Sequence, residues 1–137
     1  MVSLRDQLIR DEGIRLRPYK DTAGKLTIGV GRNLDDVGIS NAEAFYLLDN
    51  DIAKAQQNLR ARLPWLASLD YSRQCVLFNM CFNLGVDKLM EFHNTLDAIA
   101  DGRYGDAADD MLESKWATQV GPRAQRLANQ MRTGDME

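Results

Sequence analysis

The sequence predicts an α+β protein that is mainly helical, with one small β element near the N-terminus. Apolar residues recur at helical spacing behind capping residues over most of the chain. Only residues 18–31 break that period and read as a hairpin. The length of 137 residues suits one compact domain, 1–137. A chain of this size buries roughly 65–70% of the surface its unfolded form exposes, so it needs no disulfide or metal to fold.

Ser3 and Asp6 form a capping-box-like start, and Leu4, Leu8 and Ile9 supply an apolar stripe. A first helix over about 3–12 is predicted, stopped by Gly13. In the hairpin, Leu26, Ile28 and Val30 alternate with Thr27, Gly29 and Gly31, which predicts one apolar strand face and one nearly bare face. Ser40-Asn41-Ala42-Glu43 is a second capping box and opens a long helix to about Arg62, ended by Pro64. Asp70 caps a helix to about Leu84, closed by Gly85. Shorter helices are predicted around 87–91, 94–101 and 105–114. Gly121-Pro122 opens a last one over 122–131, with proline in its first turn. No internal repeat or low-complexity segment interrupts this order.

Composition removes several classes. With 45% hydrophobic and 27% charged residues the chain is neither disordered, collagen-like nor a disulfide scaffold. A net charge of -3 argues against a dedicated nucleic-acid binder. No signal-peptide h-region and no apolar run of membrane-spanning length is present, so cytosolic synthesis and storage are expected. Cys75 and Cys81 fall in one predicted helix, about 120° from a shared face and roughly 9 Å apart along the axis. They are expected as unbonded, buried thiols. Two cysteines and His93 are too few and badly spaced for zinc, and no metal or other cofactor is expected. Nothing near His93 resembles a nucleophile turn.

Charge is unevenly spread. Residues 1–33 are net positive, 34–58 net negative, and 115–132 carry Lys115, Arg123, Arg126 and Arg132 with no acid. The two positive segments would make a cationic cleft if they faced each other; otherwise they are two solvated faces. Trp116 and Trp65 read as core and helix-junction residues. Met80, Met90, Met111 and Met131 read as helical core, and Phe45 and Tyr46 as packing.

Glu12 is the most informative residue. It stands four after Leu8 and eight after Leu4, on one helix face and at the helix C-terminus. Burial and the negative helix end would both favour its protonated form, as a general acid needs. A surface glutamate at a frayed helix end is the plainer alternative. Asp21 follows nine residues later at the hairpin entry, and Thr27 six beyond that. Two carboxyls and a hydroxyl suit glycosidic hydrolysis, with a water held for attack and bare glycine positions leaving room for a sugar. Taken singly, Asp21 is also a turn residue and Thr27 a β-former. The Gly29–Gly31 pair is no phosphate loop: the third position of that motif is Leu34, and no Lys-Ser/Thr follows.

Asp11-Glu12-Gly13, Tyr19-Lys20-Asp21, Gly24 and Thr27-Ile28-Gly29-Val30-Gly31 together resemble the active-site motif of phage-type lysozymes, the T-even phage lysozyme family. That motif is Glu, eight residues, Asp or Cys, five residues, Thr. Asn79 to Gly85, Phe92 to Leu96, Lys115-Trp116 and Gly121 to Arg126 extend the resemblance over nearly the whole chain. It implies a lysozyme-like fold: a small β lobe over about 13–38, a connecting helix over 40–62, and a larger helical lobe from 1–12 and 64–137, with substrate between the lobes. It implies cleavage of the β-1,4 bond between N-acetylmuramic acid and N-acetylglucosamine in bacterial peptidoglycan, for host cell lysis. Glu12 would be the general acid, Asp21 and Thr27 would position water, and the anomeric centre would invert.

By the same matching, Gly29, Arg32, Asn83, Phe92, Asn94, Thr95, Gln119 and Arg123 would bind substrate. Arg123 would approach Glu12, where its charge would oppose burial and dipole, so the direction of the Glu12 pKa shift stays open. A monomer stored in the host cytoplasm and released through a holin-type pore is implied, without stable membrane insertion or nucleic acid as partner. Two departures stand out. The segment between Arg32 and Ser40 is shorter than in larger members, which carry an extra hairpin and short helix there. Arg32 also replaces a histidine of the best-known relative. A lytic transglycosylase and a catalytically silent wall-binding module are the alternative readings.

Overall fold

The structure, a computed structural model, describes residues 1–137. The chain folds as a mainly helical α+β protein with eight α-helices and one three-stranded antiparallel sheet of order β1-β2-β3. It divides into two compact units, Met1–Leu47 and Leu48–Glu137. No helix is long and apolar enough to cross a membrane.

The first unit begins with α1, Leu4–Glu12, whose N-terminus carries the expected capping box of Ser3 and Asp6. Hydrogen bonds from Ser3 hold the Asp6 carboxyl below its ordinary pKa. The helix stops at Gly13, where φ is +76°. Strand β1, Arg15–Lys20, pairs with β2, Leu26–Gly29, in a register that sets Tyr19 opposite Thr27 and Lys20 opposite Leu26. The ladder is irregular between Arg15 and Tyr19, and Pro18, which has no N–H to give, lies there. A third strand, β3 (Arg32–Asn33), is not legible in the hairpin pattern and pairs Thr27 with Asn33.

The strand faces differ from expectation. Thr27, on the supposedly bare face, is the buried residue at 3% exposure, whereas Leu26 and Val30 are exposed. Period-two alternation identifies which residues share a face but not which face is covered. Phe45 and Tyr46, expected to pack, are likewise exposed, at 63% and 69%. Both lie on α2, Asn41–Arg62, which opens with the reciprocal Ser40–Glu43 capping box and spans the boundary between the units.

The second unit owns the core. Leu59 and Leu63 lead into a short 3-10 turn, Leu66–Ser68, that seats Leu66 in it. Helix α3 (Tyr71–Leu84) is capped by Asp70 and closed by Gly85 as expected. Then come α4 (Val86–Met90), α5 (His93–Ala100), α6 (Tyr104–Glu113), α7 (Lys115–Val120) and α8 (Pro122–Thr133). Helix α7 has no counterpart among the predicted helices, because Ser114 both ends α6 and caps α7 through its hydroxyl. Helix α6 packs on α5 and α8, and α8 on α3 and α7. Leu77, Met80, Leu89, Met111 and Met131 are wholly buried, and Trp116 nearly so. Trp65 and Met90 are partly buried against this core, in keeping with their reading.

Arg73 joins two distant parts of this unit. Its guanidinium donates to Met131 O at 2.7 Å and Arg132 O at 3.1 Å, capping carbonyls at the end of α8. It also lies 3.8 Å from the centroid of the Tyr104 ring. The cysteines are unbonded, as expected. Cys81 is buried, and burial pushes its thiol pKa up. Cys75 is only half-buried, because it faces a groove beside Tyr71 rather than the core.

Candidate functional site

All three residues of the predicted constellation lie in the first unit. Glu12 is the last residue of α1, Asp21 opens the β1–β2 turn, and Thr27 sits on the central strand. Glu12 is exposed and α1 buries no residue, so the buried setting read from the Leu4–Leu8–Glu12 stripe is absent. Its side chain lies instead over Gly31, in the turn between β2 and β3. A Cβ built on Gly31 would meet Glu12 Oε2 at 2.9 Å and Cδ at 3.1 Å.

Asp21 is both a turn residue and a presented carboxylate. Its Oδ1 accepts hydrogen bonds from the Ala23 and Lys25 amides, each 2.9 Å long. This local pattern is why an aspartate suits the position. Gly24 supplies the positive φ of +78° that closes the turn. The second oxygen, Oδ2, is not engaged by these bonds. Thr27 Oγ1 donates to Lys25 O at 2.9 Å, which leaves the hydroxyl oxygen able to accept a hydrogen bond from another donor. The Lys25 residue is therefore gripped at its N–H by Asp21 and at its carbonyl by Thr27.

Outer contacts hold this arrangement in place. Asp35 Oδ2 accepts from the Leu26 amide at 2.7 Å, and Asp36 pairs with Lys25 Nζ at 3.1 Å. Neither aspartate is singled out by sequence reasoning, since each is an ordinary loop acid until the fold brings it to β2.

The expected substrate residues fall into separate groups. Gly29 and Arg32 line a groove of about 670 Å³ in the first unit with Leu16, Ile28 and Tyr46. Arg32 is already engaged, with Nη2 at 2.7 Å from Glu43 Oε2 and Nη1 donating to Gly38 O. The Arg32 hydrogen bond, followed by those from Ser40, holds the Glu43 pKa down at about 2. In the second unit, Phe92, Asn94, Thr95 and Gln119 line one groove of about 640 Å³.

Trp116, read only as core, also lines that groove and meets Phe92 edge to face at a centroid distance of 6.3 Å. Its indole Nε1 donates to Asn83 Oδ1 at 2.9 Å, so Asn83 orients the groove wall rather than lining it. Arg123 belongs to another groove, where it donates to Asn79 Oδ1 through Nε at 3.0 Å and Nη2 at 2.7 Å. No cluster of three or more His, Cys, Asp or Glu side chains able to hold a metal ion occurs.

A mainly helical chain that carries two carboxyl groups and a hydroxyl in one unit with a short sheet has the chemical parts of a glycoside hydrolase. Comparison with known proteins makes the class specific. The phage lysozyme family model matches residues 10–133, and the chain belongs to that family. It is 29% identical to the "Probable T4-type lysozyme 1" of Dictyostelium discoideum, over 98% of this chain and 96% of that protein. It is also 29% identical to the "Pre-baseplate central spike protein Gp5" of Enterobacteria phage T4, over 99% of this chain but 28% of that protein. Identity to the "SAR-endolysin" of Escherichia phage Mu is 32%, over 91% of this chain and 72% of the other. The protein is thus a lysozyme-type enzyme, a glycoside hydrolase with peptidoglycan as its substrate.

Proposed function

We propose that this lysozyme hydrolyses the β-1,4 bond between N-acetylmuramic acid and N-acetylglucosamine with inversion, and that it serves host cell lysis. Glu12 gives its proton to the glycosidic oxygen as the bond from the anomeric carbon breaks. Water attacks that carbon from the opposite face, losing its proton to Asp21. Thr27 accepts a hydrogen bond from the same water and fixes its direction. Such a pathway needs carboxyls roughly 6.5–9.5 Å apart, with space for water between them.

The observation that carries this reading is the shared grip on Lys25. One oxygen of Asp21 and the hydroxyl proton of Thr27 are spent on it. The remaining Asp21 oxygen in the turn and the Thr27 lone pairs on β2 are then both held through Lys25, as a positioned water requires.

Gly29, Phe92, Asn94, Thr95 and Gln119 contact glycan in this account. Asn83 acts through Trp116, Arg32 is presented by Glu43, and Arg123 supplies positive charge to an anionic wall polymer. The enzyme works as a monomer without cofactor. It accumulates in the bacterial cytoplasm and reaches the wall through a holin-type pore. Co-expression with and without such a pore checks the route: lysis of intact cells should require the pore.

Product analysis tests the chemistry. Digested peptidoglycan should carry reducing muramic acid ends, released first as the α anomer. Anhydromuramyl ends would instead make the enzyme a lytic transglycosylase, and binding without new ends would make it a silent wall-binding module.

A further inference from the structure

We infer that Gly31 is a positioning residue for the proposed acid: its bare Cα is the seat on which the Glu12 carboxyl rests. The inference rests on the reading of Glu12 as the acid. Three atoms of Glu12 crowd the place of a Gly31 Cβ, Oε2 at 2.9 Å, Cδ at 3.1 Å and Cγ at 3.3 Å. The contact thus runs along the end of the side chain rather than touching it at one point. The side-chain hydrogen bonds within the first unit end on Ser3, Asp6, Asp11, Asp21, Asp35, Asp36 and other groups, but none on Glu12. Packing on Gly31 therefore restrains the carboxyl where no hydrogen bond does.

The turn requires glycine for a second reason, since φ at Gly31 is +67°. The two requirements separate experimentally. Gly38 has nearly the same φ, +66°, but a Cβ there would meet only Leu34 O at an ordinary 3.9 Å. Gly38→Ala therefore imposes the same backbone strain without disturbing Glu12. In Gly31→Ala the side chain of Glu12 is the flexible partner, so the fold persists and the carboxyl moves.

The experiment measures kcat, KM and the pH profile on soluble peptidoglycan fragments, with carbon-13 NMR of the Glu12 carboxyl. Gly31→Ala should lower kcat on the order of 100-fold, the effect of displacing a catalytic group by about an ångström. KM should stay within about twofold, because a displaced proton donor affects the chemical step rather than glycan contacts. The limb of the pH profile that reports the acid and the Glu12 carboxyl resonance should both shift. Gly38→Ala should keep the wild-type kcat and resonance.

Glu12→Asp withdraws the carboxyl by one methylene. Its combination with Gly31→Ala should therefore lose less than the two single losses together. Should Gly31→Ala fail to fold, proton NMR of the wild type tests the seat: nuclear Overhauser contacts between the Glu12 γ-protons and the Gly31 α-protons should be present.

An unchanged resonance and kcat in Gly31→Ala would overturn the inference, as would an equal loss in Gly38→Ala, strictly additive single losses, or absence of the Glu12–Gly31 proton contacts in the wild type. The parent reading fails separately. Full turnover by Glu12→Gln would remove Glu12 as the acid, while the NMR comparison of Gly31→Ala and Gly38→Ala would still report whether Gly31 seats the side chain.

Discussion

The two units are built on different physics. Met1–Leu47 has one buried residue, and that residue is a threonine. Leu48–Glu137 contains the whole apolar core, from Leu59 to Met131. The first unit is held by caps, a three-stranded sheet and aspartates that bind backbone amides. The second is held by excluding water from leucine, methionine and tryptophan. Precision of a few side chains and bulk stability are thus assigned to different stretches of one chain. The proposed catalytic residues sit where hydrogen-bond geometry, not burial, sets the structure.

Substitutions that remove volume give the widest separation between the units. Leu77→Ala in the second unit should cost about 2–5 kcal/mol, because its site is closed on all sides. Leu16→Ala in the first, at 86% exposure, should cost less than about 0.5 kcal/mol. Chemical denaturation followed by tryptophan fluorescence for the former and circular dichroism for both reads the difference. Comparable costs would erase the contrast.

Asp21 sharpens the comparison at the next scale. Asp21→Ala removes the acceptor for two turn amides and should cost about 1 kcal/mol. Asp21→Asn keeps an acceptor in place, so the turn should survive. It cannot take a proton from water, and turnover should fall roughly 10²- to 10⁴-fold. Thermal melts beside glycan turnover distinguish the two effects. Equal turnover in Asp21→Asn and wild type would reduce Asp21 to a turn residue.

Trp116→Phe tests the corresponding polar contact in the second unit. It keeps most of the ring but removes the bond to Asn83. Stability should fall by about 1 kcal/mol, as for loss of one ordinary hydrogen bond. KM should rise while kcat is kept, because the groove wall loosens without touching the acid. Unchanged KM would detach this groove from glycan binding.

The smallest effect concerns Glu43, which is exposed and screened by water. Its folded pKa, about 2, lies below its ordinary 4.5. Stability from the charged form is therefore present above the unfolded value and is lost as pH falls from about 4.5 toward about 2. Wild type should melt above Glu43→Gln near neutrality and converge with it near pH 2. A gap independent of pH would contradict this.

The helices are readable because their ends carry chemistry: Ser3, Ser40 and Asp70 cap as their sequences imply. Helix α7 escapes because Ser114 serves two helices at once, and β3 because a two-residue strand has no period. Thr27, Phe45 and Tyr46 fall on the opposite side of the burial line from the one their patterns suggest. Alternation and helical spacing give relative direction, and only tertiary structure says which side is covered. The identities of Glu12, Asp21 and Thr27 come from their spacing and the family motif. Their physical setting does not. The Gly31 seat, the shared grip on Lys25, and the Asp35 and Asp36 contacts depend on strands meeting across the sheet.

The most direct test of the central claim is turnover of purified peptidoglycan by Glu12→Gln, with its melting temperature and circular dichroism measured beside wild type. Glu12 is exposed and α1 buries nothing, so the variant should fold and melt like wild type. Release of reducing ends should fall on the order of 10³-fold, the scale of general-acid catalysis. Wild-type turnover by the folded variant would contradict it.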